Sequence, residues 1–310
     1  MRQKWIDVYR GIAVLFMTLL HFFVNIFPSR PVPFLEYSTR GVVSIGDMDL
    51  ALFLFISGVS TYFSIFRVKK DNDKMITRAI IRYSKIFLLG LFLDIALILL
   101  ANRVWWVLEA IGLSGIVALF FICFSTDMKL LIIFILGICY TYIASVPFMY
   151  QLISASPNGW IFGPVSLSGI VLFGYMSGEH LAKRNKEIFP FFLKAGLLLI
   201  LAGFLLNSFM IYDRSIGSFS YVIISSGFSM LLVVAIYWFV ETSKISSGVL
   251  EDLGKSALLV FVLNYLVLIL AVRLNVNNTF SIEQAAVITF ILIFLIVLVS
   301  KLYCKFIKRV

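Results

Sequence analysis

Arg10, near the end of Asp7-Val8-Tyr9-Arg10-Gly11, and His21, in the apolar run that follows, stand eleven positions apart. On an α-helix turning about 100° per residue, eleven steps return to within about 20° of the starting direction and rise about 16 Å. An arginine at a membrane edge and an imidazole near mid-bilayer would then share one line along one helix face. Ionisable groups in hydrocarbon are costly and by default mark function. Imidazole takes and returns a proton near neutral pH, so His21 is a candidate general base. The alternative is an inter-helix hydrogen bond. Arg10 is a candidate for holding an anion such as a phosphate. Equally, Asp7 and Arg10, three apart, could form an interfacial ion pair beside Trp5 and Tyr9 as belt aromatics.

Other polar residues interrupt apolar stretches. Asp47 and Asp49 precede Leu52-Phe53-Leu54-Phe55-Ile56-Ser57-Gly58. Carboxylates suit a helix N-terminus. Capping accounts for one, and the pair could also orient His21 or meet a substrate amine or hydroxyl. Asp94 and Glu109 fall inside apolar runs and need a partner or water; Arg103, His21 and Asn264 are candidates. Arg78, Arg82 and Lys85 recur at helical spacing after a basic cluster over 67–74. They read as lipid-facing positive charge or as a cradle for a nucleotide cofactor's phosphates. No Walker or Rossmann glycine pattern accompanies them. His180, between Gly178-Glu179 and Lys183-Arg184, reads as structural. Lys255, Asn264, Ser220 and Tyr221 read as caps and helix–helix hydrogen bonds.

The elements that must position these residues are membrane helices. Of 310 residues, 61% are hydrophobic and 14% charged, whereas a soluble domain has about 45–50% and about 25%. Ten apolar windows read as spans: 11–28, 49–66, 84–101, 105–124, 130–147, 163–182, 189–211, 219–240, 256–273 and 284–303. With the N-terminus inside, only Arg30, Arg40, Arg103, Arg214 and Arg273 of 26 basic residues fall on outer segments. The positive-inside rule therefore favours N-in and C-in. The expected fold is an all-α, polytopic bundle of about ten helices, a single domain over 1–310, in the plasma membrane. The longest inner loop is expected at 67–83. The net charge of +10 suits anionic lipid and gives no reason to invoke nucleic acid. Cys123, Cys139 and Cys304 are scattered, and with two histidines no metal site is expected.

Five segments, in chain order, resemble the heparan-alpha-glucosaminide N-acetyltransferase catalytic-domain family. They are Ile6-Asp7-Val8-Tyr9-Arg10-Gly11-Ile12-Ala13, the Asp-led, Phe-rich stretch from Asp47 to Ser60, Val107-Leu108-Glu109-Ala110-Ile111-Gly112, Ser218-Phe219-Ser220-Tyr221, and Gly254-Lys255-Ser256-Ala257-Leu258-Leu259-Val260. The Arg10–His21 spacing also resembles the related acyltransferase-3 family. The resemblance implies a ten-helix core that takes acetyl groups from cytosolic acetyl-CoA and passes them to a hydroxyl or amine of an envelope saccharide or lipid-linked sugar outside. It implies that Arg10, with Asp7 beside it, and the face of Arg78, Arg82 and Lys85 meet CoA phosphates. His21 would be the base or a proton relay, with Asp47 near the acceptor. Against the family pattern, the stretch Phe34–Arg40 has no histidine, Ala110 replaces an arginine, and Asn264 stands where histidine is common.

Two activities follow. One is acyl transfer with His21 as base; the other is a transporter or flippase using the same polar interior. The expected partners are an acyl-CoA donor, a sugar acceptor and membrane lipids, with a homodimer left open.

Overall fold

The structure is a computed structural model, and it describes residues 3–22, 36–38, 40–66, 72–101, 107–183, 188–242, 248–273 and 282–307. Within them the regular elements are all helical: α1 (Lys4–Leu20), α2 (Met48–Phe66), α3 (Asn72–Ala101), α4 (Val107–Leu119), α5 (Thr126–Ser145), α6 (Pro147–Ser154), α7 (Gly163–Ala182), α8 (Ile188–Asn207), α9 (Phe219–Tyr237), α10 (Gly248–Lys255), α11 (Ala257–Arg273) and α12 (Ile282–Ile307). Among the described residues each of the ten apolar windows overlaps a helix, and the first window lies outside them from residue 23 onward. Among the described residues five helical stretches are long and apolar enough to cross a membrane: Ile45–Ser64, Thr126–Ser145, Ile188–Asn207, Phe219–Val240 and Ala286–Phe306. Val107–Leu119 and Ala257–Leu268 are shorter apolar helices. The protein is a membrane protein whose described residues form helices as their regular structure.

Three boundaries differ from the sequence expectation, each for a local reason. The expected inner loop 67–83 is helical from Asn72 onward, because no glycine or proline interrupts the stretch before Gly90. The fourth window closes early: after Leu119, the amides of Phe120 and Phe121 bond back three residues, to Val117 and Ala118, and Ser125 then caps α5. The ninth window is preceded by a separate short helix, α10, which ends at Lys255. Arg30, Arg103 and the basic residues over 67–70 lie outside the described residues.

The chain forms two compact units. The first comprises Met1–Tyr37, Ser44–Asp49 and Leu232–Val310; the second comprises Ser38–Val43 and Leu50–Leu231. In the first, α1 packs against α10 and α11, and α12 packs against α10 and α11. The α1–α10 approach is backbone to backbone. A β-carbon on Gly11 would fall 3.0 Å from the Leu250 carbonyl carbon, and one on Gly254 would fall 2.6 Å from that of Asp7. Glycine at both positions lets the helices touch without side chains between them. In the second unit α3 packs on α4, and α7 packs on α4 and α5.

Candidate functional site

The first unit gathers Asp7, Arg10, His21, Asp47, Asp49, Lys255 and Asn264. Asp7 and Arg10 pair as their spacing predicts, with Arg10 Nη1 donating to Asp7 Oδ1 at 2.9 Å. Asp7 is buried, while about 30% of the Arg10 side chain is exposed. One terminal nitrogen of the guanidinium is thus engaged by the Asp7 carboxylate while part of the side chain stays exposed. Close by in sequence, Trp5 meets the Tyr237 ring edge-to-face at 6.2 Å, as aromatic pairs prefer.

His21 continues the α1 backbone, with φ −59 and ψ −38, and its amide donates to the carbonyls of Met17 and Thr18. The helix is therefore unbroken from Arg10 to His21, and the imidazole is 4% exposed. One turn before it, Thr18 is fully buried and receives the Asn264 amide, Nδ2 to Oγ1 at 2.7 Å. The Thr18 hydroxyl passes its own proton to the Val14 carbonyl at 2.8 Å. Asn264 Oδ1 has no hydrogen-bond partner among the described residues. The Asn264 amide thus ties α11 to the face of α1 that bears His21. Thr18 was not singled out in the sequence; its place three residues before His21 was the available signal.

Asp47 and Asp49 are both buried but differ in their partners. Asp47 closes a capping box, accepting from the Ser44 amide at 3.2 Å while Ser44 Oγ accepts from the Gly46 amide. This is the cap expected of one carboxylate. Asp49 accepts from the Tyr37 hydroxyl at 3.1 Å. Lys255 lies at the end of α10, 3.5 Å from Glu251 and 3.7 Å from Asp252. Its charge is engaged by its own helix.

The second unit holds Arg78, Arg82, Lys85, Asp94, Glu109, Ser220 and Tyr221. Arg78 and Lys85 are exposed. Arg82 instead turns onto α2, donating to Thr61 Oγ1 and, at 3.4 Å, to the Ser57 carbonyl. Tyr83 joins it, 2.8 Å from Thr61 Oγ1. The three cations therefore do not form one equivalent face. Ser57 and Thr61 read as polar groups in an apolar run and Tyr83 fell at the end of the expected inner loop, so the sequence did not mark them as partners of Arg82. Glu109 on α4 packs against Gly90 of α3, and its carboxyl carbon would lie 2.6 Å from a β-carbon there. Asp94, buried, lies one turn along α3 from Gly90.

Ser220 and Tyr221 belong to an N-terminal cap on α9. Ser218 Oγ accepts from the Asp213 amide at 2.9 Å and lies 3.1 Å from Ser220 Oγ. Tyr221 packs edge-to-face on Tyr212 at 5.7 Å. The same turn binds Tyr150, whose hydroxyl donates to Asp213 Oδ2 at 3.0 Å. Burial first, then the Asp213 carboxylate, push the Tyr150 phenol above its ordinary range. Among the described residues, no group of three His, Cys, Asp or Glu side chains could hold a metal ion.

No curated protein matches the chain. A family model described as "Heparan-alpha-glucosaminide N-acetyltransferase, catalytic" matches residues 2–213. The match takes in the Asp7–Arg10 pair, His21, the Asp47–Asp49 stretch and Glu109, and it ends before the serine–tyrosine and Gly254-Lys255 segments. More than half of the chain carries this pattern, on a helical membrane fold: the protein belongs to the heparan-alpha-glucosaminide N-acetyltransferase catalytic family.

Proposed function

We propose that this membrane protein transfers an acetyl group from cytosolic acetyl-CoA to a hydroxyl or amine of a saccharide or lipid-linked sugar on the outer face. In this reading ten helices cross the plasma membrane with both termini inside. The observation that carries it is a single unbroken helix with a part-exposed arginine near one end and a buried imidazole at the other.

Arg10 meets a CoA phosphate, and the exposed Arg78 and Lys85 are further candidates for that role. Arg82 is a weaker one, because its guanidinium is already bonded to α2. His21 takes the proton of the acceptor hydroxyl as its oxygen attacks the thioester carbonyl. The new C–O bond forms as the C–S bond breaks, and the departing thiolate recovers the proton from the imidazolium. Asp47 and Asp49 lie at the start of α2, where their carboxylates would orient the imidazole or the acceptor. The tie between Asn264 and Thr18 holds the His21 turn in place. This supports a positioning role for Asn264, at the position where the family commonly has histidine.

The test uses the full chain in proteoliposomes with radiolabelled acetyl-CoA inside and mixed sugar acceptors outside. Wild-type protein should release CoA thiol in an acceptor-dependent way. Replacing His21 by Ala should lower that rate by about 10²–10⁴, the usual contribution of a positioned base. Full activity of His21→Ala would remove the imidazole from the mechanism. Acceptor movement by wild-type protein without thiol release would favour the carrier reading instead.

A further inference from the structure

The second unit contains a cavity of about 420 Å³ that the acyl-transfer reading does not use. It lies among α5, α7, α8 and α9, at the end of α7 that carries Glu179, His180 and Lys183. Its volume falls within the range of ~300–1,000 Å³ usual for small-molecule sites. Its two ends differ in chemistry.

One end is apolar, walled by Phe173, Leu198, Leu199 and Met230. Leu198 also belongs to the outward surface of α8. It is 67% exposed, and Leu201 and Leu205 beyond it are similarly exposed. A helix this apolar and this bare is covered by hydrocarbon in a membrane protein. On its α8 side the cavity therefore borders a surface that faces lipid.

The other end is polar. Ser177 lines the cavity, is buried, and its hydroxyl has no hydrogen-bond partner among the described residues. A buried hydroxyl nearly always has a partner, so a hydrogen-bond acceptor in the cavity would complete it. Beside it, the Glu179 carboxylate is countered by buried Lys129 at 3.4 Å, which also sits over the Tyr175 ring at 4.9 Å. The His180 ring stacks on Phe191, another wall residue, at 3.8 Å. With Glu179 matched by Lys129, exposed Lys183 is the lining cation placed to meet an anionic group. In the topology proposed above this end of α7 faces the cytoplasm, where basic groups between membrane helices hold anionic lipid head groups.

We infer that this cavity binds one anionic phospholipid, with its acyl chain against Leu198 and Met230 and its head group at Ser177 and Lys183. The site is separate from the residues assigned to acyl transfer, so it stands or falls independently of that activity.

The experiment is native mass spectrometry of the full chain released from nanodiscs of phosphatidylcholine containing a minor share of phosphatidylglycerol. Wild-type protein should retain one phosphatidylglycerol in preference to the abundant neutral lipid. Lys183→Gln should weaken retention roughly fivefold, the worth of one basic group near the membrane surface. Ala195→Phe, which fills the cavity from α8, should abolish it. Lys301→Gln, an exposed charge on α12, should change nothing. Equal retention of neutral and anionic lipid by wild-type protein would overturn the proposal. So would equal losses in Lys183→Gln and Lys301→Gln, or displacement of the lipid by a soluble acyl-CoA but not by excess phosphatidylglycerol.

Discussion

Replacing Gly254 by alanine should drive α1 and α10 apart. The added methyl would fall 2.6 Å from the Asp7 carbonyl carbon and 3.0 Å from its Cα, and closer still to its oxygen. All three are backbone atoms, so no side chain can rotate out of the way and one helix must shift. Overpacking of this kind costs about 1–3 kcal/mol. Alanine in a helix interior regains about 0.5–1 kcal/mol over glycine, so the net loss should reach about 2 kcal/mol. Gly248, six residues earlier at the start of the same helix, provides the control. A β-carbon there meets nothing within 4 Å, so Gly248→Ala should be neutral or slightly stabilising. The assay is the temperature at which half of the detergent-solubilised protein still elutes as a monodisperse peak. Gly254→Ala should lower it and Gly248→Ala should not. If the two variants behave alike, the backbone contact that positions Asp7 and Arg10 is not what holds α1 against α10.

Two further changes probe individual contacts. Asn264→Leu keeps the volume but removes the amide that reaches Thr18, and should cost about 0.6 kcal/mol, at most ~1.7, as inter-helix hydrogen bonds in membranes do. Combining it with Thr18→Val in a thermal-stability cycle should show the two losses to be less than additive. Arg82→Gln should destabilise the protein, because it removes a half-buried donor shared by the Thr61 hydroxyl and the Ser57 carbonyl. Arg78→Gln and Lys85→Gln, both exposed, should stay within about 0.5 kcal/mol of wild type; equal losses at all three would contradict the separation of Arg82 from that face.

Much of this architecture is written in one dimension. Apolar windows mark where a chain must satisfy its own backbone within lipid, and helices are the local way to do so. Among the described residues each window therefore overlaps a helix, and the Asp7–Arg10 pair follows from a spacing of three. The same logic keeps Arg10 and His21 on one continuous helix, because nothing between them breaks its hydrogen-bond ladder. The short helices were less legible. α10 is eight residues long and merges in sequence with the run that follows it, and the start of α3 carries charges that a hydropathy window reads as loop.

What the sequence determined by itself was the class of protein, the places where helices form, and the residue types near the start of α1 that could do chemistry. Partner choice was decided by the tertiary structure. Arg82 left its neighbours for Thr61, Asp47 became a cap, and Asn264 found Thr18 across 246 residues of chain. Helical periodicity fixes which side chains share a face, but the element opposite that face depends on long-range packing. At α1, that packing depends on two glycines, Gly11 and Gly254, which let α10 approach to backbone contact.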